Sequence, residues 1–240
     1  MTEASQALAQ VRERIQRAAG RAGRSPEQVK LVGVIKGQPL ARVVEAVAAG
    51  LDRLGESFAQ EARGRRGELL EAFAGRGVPE PEWHFIGQLQ RNKARSVVPL
   101  FDAVHSVDRL ALATELDRRA AAAGRRLRVL IQVNLSHEGR KGGVAEPELP
   151  RLVDEVGALP HLDLEGLMTI PAAHPDPERA RPVFARLREL AWRLSKQPGG
   201  GKLRELSMGM SGDFEVAIEE GATLVRIGTA LFGPRGSRTP

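Results

Sequence analysis

Short apolar runs alternate with longer stretches of mixed polar and apolar residues along almost the whole chain. This rhythm is typical of βα units that build a parallel sheet. Eight apolar runs are predicted to be strands, over residues 30–35, 51–55, 83–87, 101–105, 128–134, 163–169, 203–208 and 224–228. Helices are predicted between them over residues 39–49, 58–73, 90–98, 108–122, 147–157, 178–195 and 213–220, and one more near 5–19 precedes the first strand.

Eight such units in 240 residues predict an α/β fold, a single closed (β/α)8 TIM barrel with an extra N-terminal helix. The alternative is a doubly wound open sheet, which is expected to carry a GxGxxG motif after its first strand. Residues 34–39 do not have that motif, so the barrel is favoured. We predict one domain over residues 1–235 and a flexible C-terminal tail over 236–240.

Composition narrows the functional classes. The formal net charge is +6, but the arginines are spread along the chain among acidic residues, and the chain has 2 Trp, 7 Phe and no Tyr, so a nucleic-acid partner is not expected. Cysteine is absent, which excludes disulfides and thiolate metal sites, and the five histidines lack HxxxH or HExxH spacing, so no metal is expected. With neither a signal peptide nor a membrane-length apolar run, the expectation is a cytoplasmic monomer without a membrane partner.

Lys36 ends the apolar run of the first predicted strand, in a chain where only 6 of the 36 basic residues are lysines. A run rich in β-branched residues is typical of a strand buried on both faces. Unlike arginine, lysine can lose its proton, attack an aldehyde and form an imine. Lys36 is therefore a candidate Schiff-base nucleophile, and the alternative is a lysine that extends to solvent from a strand end.

Arg226 lies in the last predicted strand, where side chains alternate between the two faces of the sheet. If Val225 and Ile227 face the helices, Arg226 points into the barrel. An inward arginine can serve a ligand, or it can pair with a barrel carboxylate such as Glu205. Arginine only donates hydrogen bonds. If the ligand contained a pyridine ring, an arginine facing the ring nitrogen would keep that nitrogen unprotonated and make the ring a weaker electron sink.

The loops after the seventh and eighth strands of such a barrel commonly hold phosphate groups. Here they contain Ser207 and Ser211 in the first loop and Gly228 and Thr229 in the second, although a Gly-Thr pair is also an ordinary turn. An imine lysine, an inward arginine and a phosphate cradle together match pyridoxal 5′-phosphate (PLP), with Lys36 on its aldehyde.

These segments resemble the pyridoxal phosphate homeostasis protein family, also called the proline synthetase co-transcribed homologues, from about residue 5 to 235. The resemblance is carried by LVGVIK (31–36), GESFAQE (55–61), WHFIGQLQRNK (83–93), VHSVD (104–108), IQVN (131–134), GLMT (166–169), LSMGMS (206–211) and VRIGTALFG (225–233). It implies a PLP-binding barrel over residues 1–235, similar to the N-terminal domain of alanine racemases. It also implies a non-catalytic protein of intracellular vitamin B6 homeostasis, with PLP and PLP-dependent apo-enzymes as partners.

The resemblance also assigns cofactor contacts. The residues implied to bind PLP are Lys36, Asn134, Met168, Ser207, Gly209, Ser211, Arg226, Gly228 and Thr229. The chain departs from the family pattern at Ile35 and Gly37, which flank the lysine, and at Ser57 and Gln88. Within the family motifs, Trp83 and Phe85 are interpreted as core residues, and His84 and His105 as barrel histidines whose hydrogen bonds are satisfied.

Two enzymatic hypotheses remain open. A PLP-dependent amino-acid racemase needs a second acid/base opposite the lysine, a tyrosine in alanine racemases, and this chain contains no Tyr. A Schiff-base aldolase of sugar phosphates usually carries its lysine on a later strand, with carboxylates at the strand ends. The carrier hypothesis is therefore favoured over both.

Overall fold

The computed structural model describes residues 2–136 and 142–234 of the chain. Its β-strands there are β1 (Lys30–Val34), β2 (Arg53–Glu56), β3 (Glu82–Phe85), β4 (Ala103–Val107), β5 (Leu127–Asn134), β6 (Val144–Ala145), β7 (Leu162–Met168), β8 (Glu205–Ser207) and β9 (Leu224–Ile227). Its α-helices there are α1 (Glu3–Arg21), α2 (Leu40–Ala48), α3 (Ala59–Ala74), α4 (Ala94–Val97), α5 (Leu110–Ala122), α6 (Leu149–Gly157), α7 (Arg181–Leu194), α8 (Phe214–Glu219) and α9 (Thr229–Phe232). Short 3₁₀ turns lie at Pro26–Gln28, Arg91–Lys93, Glu146–Glu148, Pro177–Ala180 and Pro198–Gly200.

The sheet closes into a barrel of eight parallel strands. Consecutive neighbours pair from β1 to β5, then β5 pairs with β7, β7 with β8, and β8 with β9. Closure comes from β9 pairing with β1, in a register that sets Val32 opposite Arg226. The predicted (β/α)8 barrel and its N-terminal helix are therefore confirmed.

Three details differ from the sequence-based expectation. The two-residue strand β6 adds to the edge of β5, opposite Val133 and Asn134, and is too short to show a periodic pattern. The predicted helix over 90–98 is a 3₁₀ turn followed by the single turn of α4. The short helix α9 begins at Thr229, directly after the last strand, where the sequence indicated only a loop.

Helix α1 forms because its apolar residues recur at helical spacing, with Leu8, Val11 and Ile15 all buried. The Thr2 side chain accepts a hydrogen bond from the Ser5 N–H and caps its first turn. The apolar face packs against α2, α8 and α9, the helices next to the first and last strands. Residues 3–21 thus cover the place where the barrel closes.

Side-chain alternation divides the strands between two layers. Val225 and Ile227 join the large core under the helices, whereas Val32, Leu130, Met168 and Leu224 form a small apolar cluster of their own in the barrel interior. Met168 belongs to this cluster because of a β-bulge in β7: Leu164 pairs with Val129, but Gly166 pairs with the next residue, Leu130. The extra residue, Glu165, reverses the alternation after it.

Among the described residues, none of the helices is both long enough and apolar enough to cross a bilayer. The predicted tail at 236–240 lies outside the described residues. The predictions of a flexible tail and of a single domain therefore stay predictions.

Candidate functional site

Lys36 lies just beyond the end of β1, at the end of the barrel where all the parallel strands finish. The Ile35 N–H donates to the Gly55 carbonyl at 3.0 Å, and Gly37, at φ +67°, turns the chain away toward α2. The Lys36 side chain is half-buried, and its Nζ lies 4.1 Å from the centroid of the Phe58 ring. This is a cation–π contact with an aromatic side chain that is 41% exposed.

Phe58 is a neighbour of Lys36 that the sequence reasoning did not single out. The turn that presents it is held by Glu56, whose Oε1 accepts hydrogen bonds from the N–H groups of Ser57 at 2.6 Å and Phe58 at 3.3 Å. Its only sequence signal was its position in the segment after β2. Which residue lies against Lys36 depends on the pairing of β1 with β2, which the local pattern does not specify.

Arg226 points into the barrel, as its alternation predicts, and is only 4% exposed. Its Nη1 donates to Ser207 Oγ at 2.6 Å, and its Nη2 donates to the Thr169 carbonyl at 3.0 Å. Burial lowers the pKa of Arg226 to about 10, so the guanidinium remains charged at neutral pH. The alternative pairing with Glu205 does not form, because Glu205 Oε1 accepts from Lys30 Nζ at 2.6 Å.

Ser207 is fully buried at the end of β8. Its Oγ is shared between Arg226 Nη1 and His105 Nδ1, which lies 2.9 Å away. His105 Nε2 in turn lies 2.8 Å from His84 Nδ1. The interpretation of both histidines as satisfied barrel residues is confirmed, and so is the burial of Trp83 and Phe85.

The two loops predicted to hold phosphate are joined to each other. Ser211 Oγ accepts a hydrogen bond from the Ala230 N–H at 3.2 Å, which ties the loop after β8 to the start of α9. Gly209 adopts φ +92°, and a Cβ there would lie 2.6 Å from the Ala217 Cβ. Gly228 lies against β1, since a Cβ there would be 3.5 Å from the Val34 Cβ. The neighbouring Thr229 is exposed. The loop after the last strand therefore lies beside β1, the strand that precedes Lys36.

Asn134 and Met168 lie on neighbouring strands, β5 and β7. Asn134 ends β5, and its Oδ1 accepts from the Ser136 hydroxyl at 3.3 Å. Met168 is fully buried in the interior cluster, one residue before Thr169, the carbonyl acceptor of Arg226. In the strand order β7 lies next to β8, and β5 follows on the other side of β7.

The arrangement fits a phosphorylated aldehyde with a basic ring nitrogen. Within the described residues, two of the five N–H groups of Arg226 donate to protein acceptors, which leaves donors for a ligand. Lys36 contributes a primary amine at the barrel end. Glycine at 209 lets its loop pass close to α8, and the hydrogen bond from the Ala230 N–H to Ser211 Oγ holds the two loops together.

Comparison with known proteins gives the family. The model of the alanine racemase N-terminal domain matches residues 7–236. The pyridoxal phosphate homeostasis protein of Pseudomonas aeruginosa is 47% identical over 242 residues, covering 100% of this chain and 99% of that protein. Its Escherichia coli K12 counterpart is 43% identical, with 98% of both chains covered.

The chain belongs to the pyridoxal phosphate homeostasis protein family. A solved structure agrees: PipY of Synechococcus elongatus, determined with PLP bound, is 38% identical to this chain at a TM-score of 0.79, with 92% of this chain and 100% of PipY covered. The resemblance read from the motifs is confirmed. The family's barrel is thus shared over the full length of the relatives.

Proposed function

We propose that this protein is a non-catalytic carrier of PLP that holds the cofactor at Lys36 and takes part in vitamin B6 homeostasis. The observation that carries the proposal is the pairing of β1 with β9, which brings Lys36, Arg226 and the Gly228 loop to one end of the barrel. Support comes from the relatives named for PLP homeostasis and from PipY, whose structure contains PLP.

In this proposal the PLP aldehyde supplies the electrophile for the Lys36 amine. Lys36 rests on Phe58 through a cation–π contact, which an amine that bonds to the cofactor has to leave. Phe58 is well exposed, so the contact is weak enough to exchange. The phosphate would be held by Ser211, Thr229 and the backbone at Gly209 and Gly228.

Ser211 is better suited to that phosphate than Ser207. The Ser211 oxygen accepts the Ala230 N–H, so its own hydrogen is available to donate to a phosphate oxygen. Ser207 is instead occupied by Arg226 and His105. We propose that Ser207 acts on the cofactor through Arg226, and that Asn134 and Met168 line the interior side of the site.

Arg226 fits a carrier and a racemase alike, and the missing second acid/base is what favours the carrier. A guanidinium that faces the pyridine nitrogen can only donate, which keeps the nitrogen unprotonated and the ring a weak electron sink. The 240 residues also contain no tyrosine to act as the second acid/base of a racemase. We propose PLP-dependent apo-enzymes of the cytoplasm as recipients, served by a monomeric carrier.

The test is to incubate the purified protein with PLP, reduce it with borohydride and map the label by mass spectrometry. We expect a yellow protein with a pyridoxyl group on Lys36. Lys36→Arg keeps the charge but cannot form the bond, so it should remain unlabelled. Lys30→Arg, at the other end of the same strand, is the matched control and should label like the wild type.

Three outcomes would contradict the proposal. A label on another lysine, or no label, would show that Lys36 does not carry the cofactor. Racemisation of alanine at ordinary enzyme rates would show that the protein is a racemase rather than a carrier. A colourless protein that traps a keto-sugar phosphate under borohydride would favour the aldolase.

A further inference from the structure

A continuous chain of hydrogen bonds runs along the barrel interior from the site toward the opposite end. It starts at Arg226 Nη1, 2.6 Å from Ser207 Oγ, and continues over 2.9 Å to His105 Nδ1. From His105 Nε2 it passes over 2.8 Å to His84 Nδ1, and from His84 Nε2 over 3.3 Å to Glu82 Oε2. Both histidines are buried, and Glu82 is partly exposed at the far end.

The two ends of this chain have fixed hydrogen-bonding roles. Arg226 has donors and no acceptor, so Ser207 Oγ must accept from it. At the other end, the hydrogen bond from His84 and the guanidinium of Arg128 lower the pKa of Glu82 to about 2. Glu82 is therefore a carboxylate at neutral pH, and a carboxylate only accepts.

These ends dictate where every hydrogen in between lies. Glu82 accepts from His84 Nε2–H, which leaves His84 Nδ1 as the acceptor of His105 Nε2–H. His105 Nδ1 then accepts the Ser207 hydroxyl hydrogen, and the Ser207 oxygen accepts from Arg226. All four links are satisfied with two neutral imidazoles, each protonated on Nε2. The reverse direction would turn an imidazole lone pair toward the Glu82 carboxylate.

The charged groups around the histidines agree with neutral rings. Burial lowers the pKa of His84, and the facing guanidinium groups of Arg128 and Arg53 lower it further, against the opposing effect of Glu82. For His105, complete burial is the main cause of a pKa well below the usual value, and His84, Arg226 and Arg128 add to it.

We propose that Glu82, His84 and His105 are positioning residues. They direct the Ser207 hydroxyl hydrogen to His105, which fixes the lone pair that Ser207 presents to Arg226 and thereby orients the remaining Arg226 donors toward the cofactor ring. The inference rests on the proposed function for the identity of the ligand. The direction of the chain is a property of the ligand-free protein. The Glu82 carboxylate at the far end of the barrel thus determines which atoms donate and which accept at Ser207.

The direction can be measured in the full-length wild-type protein without PLP, from ¹⁵N chemical shifts of the imidazole rings at pH 7. We expect His84 and His105 to be neutral, each with its proton on Nε2. A proton on Nδ1 of His105, or an imidazolium at either ring, would overturn the proposal.

Variants test the effect on the site. His105→Leu removes both links and should weaken PLP binding roughly tenfold, because Ser207 loses its hydrogen-bond acceptor and no longer orients Arg226. His105→Gln keeps one donor and one acceptor and should restore most of the affinity. The matched control is Ser106→Ala: the Ser106 hydroxyl is buried on the same strand and has no hydrogen-bond partner among the described residues, so binding should not change.

The outcomes separate this inference from the proposed function. An unlabelled wild-type Lys36 means that the carrier function fails. A labelled wild type in which His105→Leu binds PLP as well as Ser106→Ala does means that only the positioning role fails. If His105→Leu does not fold, the ¹⁵N measurement on the wild type decides, together with the PLP affinity of Glu82→Leu. Leucine offers no acceptor to His84 Nε2–H, so the direction of the chain is no longer fixed, and unchanged affinity in this variant would also overturn the proposal.

Discussion

Arg226 is a buried cation whose charge is balanced mainly by hydrogen-bond acceptors, with Asp213 as a more distant carboxylate. An uncompensated buried charge is costly, so the Ser207 oxygen and the Thr169 carbonyl are needed for the native state as well as for the site. His84 and His105 belong to the same polar interior. Because both rings are neutral in the native state, acid lowers the stability of the protein.

At the residue scale we predict that acid destabilises the protein through these histidines. Their pKa values are lowered in the native state, whereas the unfolded chain titrates near 6.5. As pH falls from 7 to 5 the unfolded state binds more protons than the native state, so the free energy of unfolding decreases. Each histidine contributes up to about 1.4 kcal/mol per pH unit to this decrease in the free energy of unfolding.

The measurement is urea unfolding at pH 7, 6 and 5, comparing the wild type with His105→Gln. The variant should lose stability with a slope smaller by about 1 kcal/mol per pH unit. The control for the substitution itself is His174→Gln at an exposed position, which leaves the buried pair of histidines intact. Equal slopes in all three proteins would contradict neutral burial of His105. Glu82 adds to acid lability only below its unfolded pKa near 4.5, as pH falls toward about 2.

At the scale of elements, the site depends on how the loop after β8 turns into α8. Met210 N–H donates to Asp213 Oδ1 at 2.6 Å, and burial raises the pKa of Asp213 despite that bond. Gly209 allows the tight passage because its φ of +92° is unfavourable for other residues and a Cβ there would lie 2.9 Å from the Phe214 Cα. Both features keep Ser211 beside the last strand.

We therefore predict that Gly209→Ala lowers the free energy of unfolding by about 1–3 kcal/mol from backbone strain, and by more once the close contacts are included. The same substitution should impair PLP retention. Gly212→Ala in the same loop is the matched control, because a Cβ there meets nothing within 4 Å and its φ is not positive. Thermal unfolding and the yield of the borohydride-reduced adduct measure the two effects. Similar behaviour of the two variants would show that the loop tolerates a different path.

At the scale of the whole molecule, the barrel depends on joining its first and last strands. β1 and β9 pair over Lys30–Gly33 and Leu224–Ile227. The Lys30–Glu205 ion pair, at 2.6 Å, links β1 to β8 at the end of the barrel opposite Lys36. Helix α1 covers this closure from outside through its contacts with α2, α8 and α9. Loss of α1 packing should thus weaken the whole barrel rather than one helix.

Leu8→Ala is predicted to lower the free energy of unfolding by about 2–5 kcal/mol, because Leu8 is almost fully buried and truncation leaves a cavity. Gln10→Ala, on the exposed face of the same helix, should change it by less than about 0.5 kcal/mol. Urea unfolding followed by circular dichroism gives both values. If Leu8→Ala melted α1 alone in a separate transition, the helix would not be part of the cooperative barrel.

The amino-acid sequence by itself determined the eight βα units, the strand ends that form the site, and the inward direction of Arg226, because periodicity and strand parity are local properties. Tertiary structure decided the contact of Lys36 with Phe58, the inward turn of Met168 at the β7 bulge, and the chain from Arg226 to Glu82. Each of these depends on the register between strands distant in sequence. Register is set by packing of the closed barrel, which no local pattern encodes.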